Sequence, residues 1–287
     1  MFAAMKNLLV PTDFSPEAHH AYEVALQLAK HTDGTVTLLH VLDTDATEGG
    51  FSTMGTLSGT DSIDNIYTLK LLEATKRRLH ALTNEAAPLA SGVPVHDAME
   101  LERTDEGILA AIKRHNIDLV VMGARGHGAL EHFFVSSTAE RMIRLAPCPV
   151  LTVKHQQVPF EMRTVVFPSD FSAGAAGALG HLLHILEVFP EARLHLLHVV
   201  AGQEGEPAQE ERMHAFARQH GLTNYQTAVV GASRTSSGIE QYARHVHADL
   251  VVMPTHSHAG LSHLLHPNVA ETVATHTFPP VLTYHFE

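Results

Sequence analysis

Residues 10–15 read Val10-Pro11-Thr12-Asp13-Phe14-Ser15, and the pattern returns as Phe167-Pro168-Ser169-Asp170-Phe171-Ser172. Three further blocks repeat in the same order: Leu38-Leu39-His40-Val41 as Leu196-Leu197-His198-Val199, Asp118-Leu119-Val120-Val121-Met122 as Asp249-Leu250-Val251-Val252-Met253, and Pro149-Val150-Leu151-Thr152 as Pro280-Val281-Leu282-Thr283. Four blocks repeated in one order indicate two copies of a single domain in tandem. We place these domains at residues 1–155 and 161–287, joined by a polar linker at about 154–161.

Each copy alternates short apolar strands with helices. In the first copy the predicted strands are 7–10, 35–41, 93–99, 119–122 and 150–153, and the predicted helices are 15–30, 64–86, 104–115 and 137–145. Nearly continuous apolar strands separated by helices are typical of a parallel sheet covered on both faces. With right-handed crossovers, the sequence predicts an α/β fold of two tandem doubly wound parallel five-stranded sheets.

Composition excludes several classes of function. The 287 residues carry a formal net charge of -12, which argues against nonspecific nucleic-acid binding because that requires a basic face. No apolar run approaches the roughly 20 residues of a membrane-spanning helix, and the N-terminus lacks the layout of a signal peptide. The single cysteine excludes an intramolecular disulfide bond and suits a reducing compartment. We therefore expect a cytoplasmic protein with no nucleic-acid or membrane partner.

A glycine-rich loop follows the fourth strand of the first copy, reading Met122-Gly123-Ala124-Arg125-Gly126-His127-Gly128, and Ser136-Ser137-Thr138 then begins a helix. Glycines let the backbone approach a ligand, and successive free N–H groups form a concavity that binds anions. A helix N-terminus is itself an anion site, and ligands of doubly wound sheets bind at the carboxyl ends of strands. The loop therefore predicts a polyphosphate site; the alternative is that its glycines only form turns.

The loop resembles the signature of the universal stress protein family, in which a glycine is followed by two residues, a second glycine, nine residues, and then glycine with serine or threonine. Gly123, Gly126 and Ser137 match this pattern, whereas Ser136 stands where the third glycine is expected. Pro11-Thr12-Asp13 and His40-Val41 also match the family pattern. The resemblance implies an adenine nucleotide alpha hydrolase-like fold, domains paired through their last strands about a pseudo-two-fold axis, and binding of ATP (or AMP or ADP), with Mg²⁺ as the accompanying ion.

By this resemblance the ligand-binding residues of the first copy are Pro11, Thr12, Asp13, Val41, Met122, Gly123, Arg125, Gly126, His127, Gly128, Ser136, Ser137 and Thr138. Asp13 and the backbone of Val41 would hold adenine, the glycines and His127 would line the ribose and phosphates, and the hydroxyls of 136–138 would hold the outer phosphates. Serine at position 136 costs roughly 1 kcal/mol if a positive φ is needed there, and otherwise adds a donor. Asp170 persists in the second copy, so an alternative role for Asp13 is to bond the nearby backbone of its turn.

The second copy lacks the glycines and the serine pair that would bind phosphate in the first copy. Pro254 replaces the first glycine, Ser257 replaces the second, and Pro267-Asn268 replaces the serine pair. Proline removes an N–H and restricts φ, so we expect no nucleotide site in this copy. Asn268 and Glu271 keep the spacing of a capping box at the start of the following helix.

Other motifs leave alternatives open. His256, His258, His263 and His266 crowd the second copy's loop, which would suit zinc, although the chain carries 24 histidines and other loops are rich in them too. Residues 48–62 form either a lid or a disordered loop. Cys148 fits a small core residue better than a reactive thiol.

Three functions compete. The first is a nucleotide-dependent stress-response or signalling module that binds ATP in the first copy. The second is a slow ATP hydrolase, which would need a positioned base and a metal held by carboxylates. The third is a nucleotide-free interaction or metal-binding protein. A homodimer and an unidentified protein partner are compatible with each.

Overall fold

The computed structural model describes residues 5–43, 61–124, 137–157, 159–200, 207–256 and 267–286. The first half contains, in chain order, β1 (Asn7–Pro11), α1 (Pro16–Thr32), β2 (Thr35–Asp43), α2 (Asp61–Leu89), β3 (Val95–Glu102), α3 (Thr104–Arg114), β4 (Leu119–Gly123), α4 (Ser137–Leu145) and β5 (Val150–Val153). The second half contains β6 (Thr164–Pro168), a 3-10 helix at Ala173–Ala178, α5 (Leu179–Val188), β7 (Arg193–Val200), α6 (Pro207–Gln219), β8 (Tyr225–Gly231), α7 (Thr235–His245), β9 (Leu250–His256), α8 (Pro267–His276) and β10 (Val281–Phe286).

All ten strands belong to one sheet, in the order β3-β2-β1-β4-β5-β10-β9-β6-β7-β8. Neighbouring strands within each half are parallel, whereas β5 and β10 pair antiparallel, with Leu151 opposite Leu282. The antiparallel pair lies at the centre of the strand order, where it relates the halves by a pseudo-two-fold axis. The prediction of two doubly wound five-stranded sheets paired through their last strands is confirmed.

The core consists of two apolar layers, one on each face of this sheet. Successive residues of β1 point to opposite layers: Leu8 packs beneath α1 and α2, and Leu9 packs beneath α3 and α4. In β6, Val165 and Val166 divide between the layers in the same way. Strands buried on both faces must be apolar at every position, which accounts for the unbroken hydrophobic runs in the sequence.

An equivalent aspartate ties the first strand of each half to its fourth strand. Asp118 Oδ2 accepts hydrogen bonds from the backbone N–H groups of Lys6 (3.1 Å) and Asn7 (3.0 Å). Asp249 Oδ2 accepts from the N–H groups of the residues that precede and begin β6, both at 2.8 Å. The sequence repeat therefore preserves structural contacts as well as residue types.

Side chains on α4 and α8 join the two halves beyond the sheet. The Arg144 guanidinium donates to both carboxylate oxygens of Glu271. The predicted capping box of Asn268 with Glu271 is wrong, because α8 begins at Pro267 and the Glu271 carboxylate is held by Arg144 instead. A residue chosen by spacing as a local cap therefore serves a contact between the halves.

The linker packs against the first half. The Gln27 side chain on α1 donates to the Gln157 carbonyl (3.0 Å) and accepts from the Phe160 N–H (2.6 Å). The Gln156 side chain donates to Glu23 (3.2 Å). Lys154, predicted as the start of a polar linker, is buried and donates to the Thr277 carbonyl of the second half.

Candidate functional site

A cleft opens where β1, β2 and β4 end, at the point where the chain connections reverse direction across the sheet. The order β2-β1-β4 leaves room at the carboxyl end of β1, because the connections on its two sides leave in opposite directions. The cleft is lined by Pro11, Thr12, Asp13, Ser15, Glu17, Ala18, Leu39, His40, Val41, Thr104, Ile108, Met122, Gly123 and Thr138.

The turn between β1 and α1 forms one wall of this cleft. The Thr12 N–H donates to the Leu39 carbonyl (2.8 Å), which extends the pairing of β1 with β2 by one bond. The Thr12 hydroxyl oxygen accepts from the Phe14 N–H (3.0 Å), and Asp13 Oδ1 accepts from the Ser15 N–H (2.9 Å). Ser15 then caps α1 by accepting from the Ala18 N–H (3.2 Å). Side chains of 12–15 thus satisfy the local backbone as the chain reverses.

His40 braces the same turn. Its Nδ1 lies 2.7 Å from the Thr12 carbonyl oxygen. A carbonyl oxygen only accepts, so Nδ1 carries the proton and Nε2 of the neutral ring carries the lone pair. The ring packs against Phe14, with 4.7 Å between centroids, and Phe14 adopts a φ of 64°. The histidine therefore holds a bulky residue in the left-handed backbone region at the edge of the cleft.

The second half repeats this turn without the glycine-rich loop. Ser169 and Asp170 accept from the N–H groups two residues later, both at 3.1 Å, and His198 Nδ1 lies 2.9 Å from the Ser169 carbonyl. Phe171 has a φ of 53°, close to that of Phe14. Bonding the turn is therefore a structural role of Asp13, shared with Asp170. Asp13 is also exposed at the mouth of the cleft.

Gly123, the first glycine of the loop, lies at the end of β4 against the first turn of α1. A Cβ atom there would lie 2.6 Å from the Glu17 carbonyl carbon and 2.7 Å from the Ala18 nitrogen. Close approach of the two backbones therefore requires glycine at this position. In the second half Pro254 occupies the equivalent place, and the residues after β6 form a 3-10 helix of alanine and glycine instead of the start of an α-helix.

A second glycine positions Val41 at the opposite wall. A Cβ atom on Gly107 of α3 would lie 2.9 Å from a methyl carbon of Val41, so α3 packs directly on β2 at this point. Gly238 and Val199 make the same contact in the second half, where the added Cβ atom would lie 2.7 Å from a methyl carbon. In each half, therefore, close packing of a glycine on the helix after the third strand fixes the position of the valine near the end of the second strand.

Seven of the residues predicted from the sequence line the cleft together: Pro11, Thr12, Asp13, Val41, Met122, Gly123 and Thr138. Ser137 is the first residue of α4. The predicted residues Arg125, Gly126, His127, Gly128 and Ser136 lie outside the described residues.

Other wall residues were not among the predicted ligand-binding residues, namely Ser15, Glu17, Ala18, Leu39, His40, Thr104 and Ile108. Thr104 and Ile108 lie one turn apart on α3 and face the cleft together. The feature of the sequence that could have indicated them is the start of α3 directly after β3. Asp13 and Glu17 are the carboxylates among the described wall residues, which include no lysine or arginine. Positive charge to balance an anionic ligand must therefore be supplied by groups other than these described wall residues.

Within the described ranges, no group of three or more His, Cys, Asp or Glu side chains is arranged to hold a metal ion. Of the predicted histidine cluster, His256 ends β9, and His258, His263 and His266 lie outside the described residues. Burial raises the pKa of the Cys148 thiol to about 12, as expected for an unreactive core cysteine. Residues 48–60 of the predicted lid are likewise outside the description.

Comparison with known proteins identifies the architecture. The model of the universal stress protein family matches residues 5–154 and again residues 161–285. A curated universal stress protein relative from Staphylococcus aureus (strain USA300) is 30% identical over 165 residues, which is 56% of this chain and 91% of the relative.

Two solved structures share the fold along the whole chain. A universal stress protein from Archaeoglobus fulgidus DSM 4304 superposes with a TM-score of 0.71 at 17% identity, covering 99% of both chains. A functionally unknown protein from Pseudomonas aeruginosa PAO1 superposes with a TM-score of 0.64 at 18% identity, covering 99% of this chain and 93% of the other. Within the described residues, no helix is long and apolar enough to cross a membrane. With the family model matched twice in succession, the chain belongs to the universal stress protein family and carries two of its domains in tandem.

Proposed function

We propose that the first domain, residues 1–155, binds an adenine nucleotide (ATP, or AMP or ADP), and that occupancy makes the protein a nucleotide-dependent stress-response or signalling module. The observation that carries this proposal is the cleft at the ends of β1, β2 and β4, which collects seven of the thirteen residues predicted from the sequence. A crevice at a topological switch point is the usual ligand site of a doubly wound sheet. The second domain, residues 161–287, is assigned no nucleotide.

The inner part of the cleft suits a planar base. Leu39, Ile108 and Met122 offer apolar walls. In a parallel strand the N–H and C=O of one residue point to the same side, and alternate residues point to opposite sides. Because the Leu39 carbonyl faces β1, the peptide groups of Val41 face the same side, beyond the point where β1 ends. These groups and the Asp13 carboxylate are the proposed partners of the adenine edge.

The outer part suits the phosphates. Thr138 lies in the first turn of α4, and a helix N-terminus favours anions. We assign the phosphates to this turn with Ser137, and to the loop residues Arg125, Gly126, His127, Gly128 and Ser136. The carboxylates of Asp13 and Glu17 would repel a polyphosphate, so we also propose that ATP enters with Mg²⁺.

The decisive experiment uses the second half as an internal control. Nucleotide-stripped protein is titrated calorimetrically with ATP and Mg²⁺, beside Asp13→Asn and Asp170→Asn variants. Asparagine keeps one side-chain oxygen to accept from the turn, removes the charge and replaces the second oxygen with an NH2 donor. We expect one ATP per chain, roughly tenfold weaker binding in Asp13→Asn through loss of a charge-assisted hydrogen bond, and unchanged binding in Asp170→Asn.

Absence of heat and of any thermal shift with ATP would refute the proposal, and equal effects of the two substitutions would remove Asp13 from the site. A Gly126→Asp variant tests the phosphate loop separately, since a carboxylate there should abolish ATP binding. Phosphate release measured on the ATP-bound protein decides between a binding module and a slow hydrolase.

A further inference from the structure

The helix that follows the second strand carries the same short motif in both halves, but the last residue of the motif differs in size. Arg78-Leu79-His80-Ala81-Leu82 on α2 corresponds to Arg212-Met213-His214-Ala215-Phe216 on α6. The largest change is at the end of the motif, where Leu82 of the first half corresponds to Phe216 of the second. This difference changes what fills the space beside the turn after the first strand.

In the second half, aromatic rings fill that space. Phe216 packs edge-on against Phe171 with 5.3 Å between centroids, and Phe167 of β6 meets the same ring at 6.4 Å. Phe171 is only 4% exposed as a result. The second half therefore shows how this fold closes the region with protein side chains alone.

In the first half the same space is open. Leu82 stands in place of Phe216 and Val10 in place of Phe167. A cleft of about 220 Å³ lies between α1 and α2, beside the half-buried ring of Phe14. Tyr22 corresponds to Leu179 of the second half, and its larger side chain fills part of this space. The Tyr22 hydroxyl donates to the Leu82 carbonyl (3.2 Å).

The walls of this cleft combine apolar surface with one cation. Leu38, Tyr22 and Leu82 line its interior. At its rim the Arg78 guanidinium lies 4.0 Å from the centroid of the Phe14 ring, a cation–π contact. The ion pairs described on this helix join Arg77 to Glu73 and His80 to Asp97, and Arg78 takes part in neither.

We propose that this cleft between α1 and α2 is a second ligand site, and that it takes a flat aromatic carboxylate. The aromatic ring of the ligand packs against Phe14, in the position that Phe216 fills in the second half. Its carboxylate receives the N–H donors of Arg78, whose planar fork matches that geometry. The two clefts border each other at Thr12, Ser15 and Ala18 but differ in their other walls. The nucleotide cleft continues to the ends of β2 and β4, whereas this cleft continues between α1 and α2.

Fluorescence anisotropy of 2-naphthoate tests the proposal directly, because the chain contains no tryptophan to interfere. The intact, nucleotide-free protein is titrated beside Arg78→Gln, Leu82→Phe and the control Arg77→Gln, whose exposed side chain lies near Glu73. We expect one saturable site, about tenfold weaker binding in Arg78→Gln, and loss of binding in Leu82→Phe, which copies the second half. Arg77→Gln should bind as the parent protein does, and neutral 2-naphthamide should bind as weakly as naphthoate binds Arg78→Gln.

Three results would overturn the proposal: no saturable binding at millimolar naphthoate, equal affinity for naphthamide, or equal effects of Arg77→Gln and Arg78→Gln. Stoichiometric displacement of naphthoate by ATP would place it in the nucleotide cleft and would also overturn the assignment. Circular dichroism checks that Leu82→Phe folds; if it does not, the two arginine variants and the neutral analogue decide the matter alone. Apart from the displacement by ATP, none of these outcomes depends on whether the protein binds nucleotide.

Discussion

Gly123 belongs to the family signature, yet its structural requirement arises from packing. The end of β4 meets the backbone of Glu17 and Ala18 so closely that any side chain would overlap it. The same contact keeps the entry of α1 beside the cleft. A substitution at Gly123 therefore tests the fold as well as ligand binding, which is why Asp13 is the cleaner probe of the nucleotide.

We predict that Gly123→Ala lowers the free energy of unfolding by about 1–3 kcal/mol, the usual cost of overpacking a close contact. Urea denaturation followed by circular dichroism measures it. An unchanged midpoint with an unchanged slope would show that α1 can move away at no cost, and would contradict the packing argument.

Lys154 should affect how the stability of the protein depends on pH. Its side chain is buried between the halves, and burial lowers its pKa to about 7, although the nearby Glu240 carboxylate acts in the opposite direction. The unfolded chain keeps the ordinary pKa near 10.5, so between pH 7 and about 10.5 the unfolded state binds more protons. Stability from this group therefore rises with pH across that window, by at most about 1.4 kcal/mol per pH unit.

We predict that Lys154→Met removes this rise. Compared with the parent protein, the variant gains stability at pH 7 and loses that advantage as the pH approaches 10. Urea denaturation at pH 7, 8, 9 and 10 measures the difference, with exposed Lys113→Met as the control. Parallel stability profiles for Lys154→Met and the parent protein would show that the buried lysine keeps its ordinary pKa.

The sequence allows a residue to be placed in the fold where its position is set by local structure. Asp13 follows β1 and Gly123 ends β4, each in a recognisable motif, so both could be placed at the carboxyl edge of the sheet from the sequence. Thr104 and Ile108 reach the same cleft only because α3 folds back over β2, and no local pattern encodes that. The contact between Arg144 and Glu271 was not predicted for the same reason, since the two residues are far apart in sequence and meet only when the halves pair.

At the scale of elements, the clearest difference between the halves is the helix after the first strand. Ser15 caps α1, Pro16 occupies its first turn and Glu17 places an acid near its positive end. The equivalent stretch Ala173–Ala178 contains neither proline nor acid, and forms a 3-10 helix before α5 begins. Glycines weaken helix formation there, and Pro254 brings a ring to the place where Gly123 lets α1 approach. The sequence repeat does not predict this difference between α1 and the 3-10 helix, because the first repeat block ends at Ser15 and Ser172, before either helix begins.

The contact of α3 with β2 yields a prediction with a built-in control. Gly107→Ala and Gly238→Ala each add a methyl group against a valine at the end of a second strand. Both should lower stability by about 1–3 kcal/mol, since the two contacts are equivalent. Only Gly107→Ala should weaken ATP binding, because only Val41 borders the proposed nucleotide cleft. Thermal unfolding and calorimetry measure the two effects; equal losses of ATP affinity would place Val41 outside the site.

At the scale of the whole molecule, three contacts make the halves interdependent: the antiparallel β5–β10 pair, the Arg144–Glu271 ion pair and the linker packed on α1. The tandem organisation and the pairing of last strands were predicted from the repeat and from the family resemblance. The residues that join the halves were not, because the repeat describes each half by itself.

We predict a single cooperative unfolding transition for the whole chain, and a larger fall in melting temperature for Arg144→Ala than for Arg141→Ala. Removing Arg144 leaves the largely buried carboxylate of Glu271 without its cation, whereas Arg141 pairs with Asp105 inside one half. Differential scanning calorimetry measures both. Two separate transitions in the parent protein would show that the halves unfold independently.

We propose that nucleotide binds only the first of the two closely similar turns. Hydrogen–deuterium exchange of residues 12–18 and 169–175, with and without ATP and Mg²⁺, tests it within one molecule. We expect ATP to slow exchange at 12–18 and to leave exchange at 169–175 unchanged. Protection of 169–175 alone, or equal protection of both turns, would contradict it.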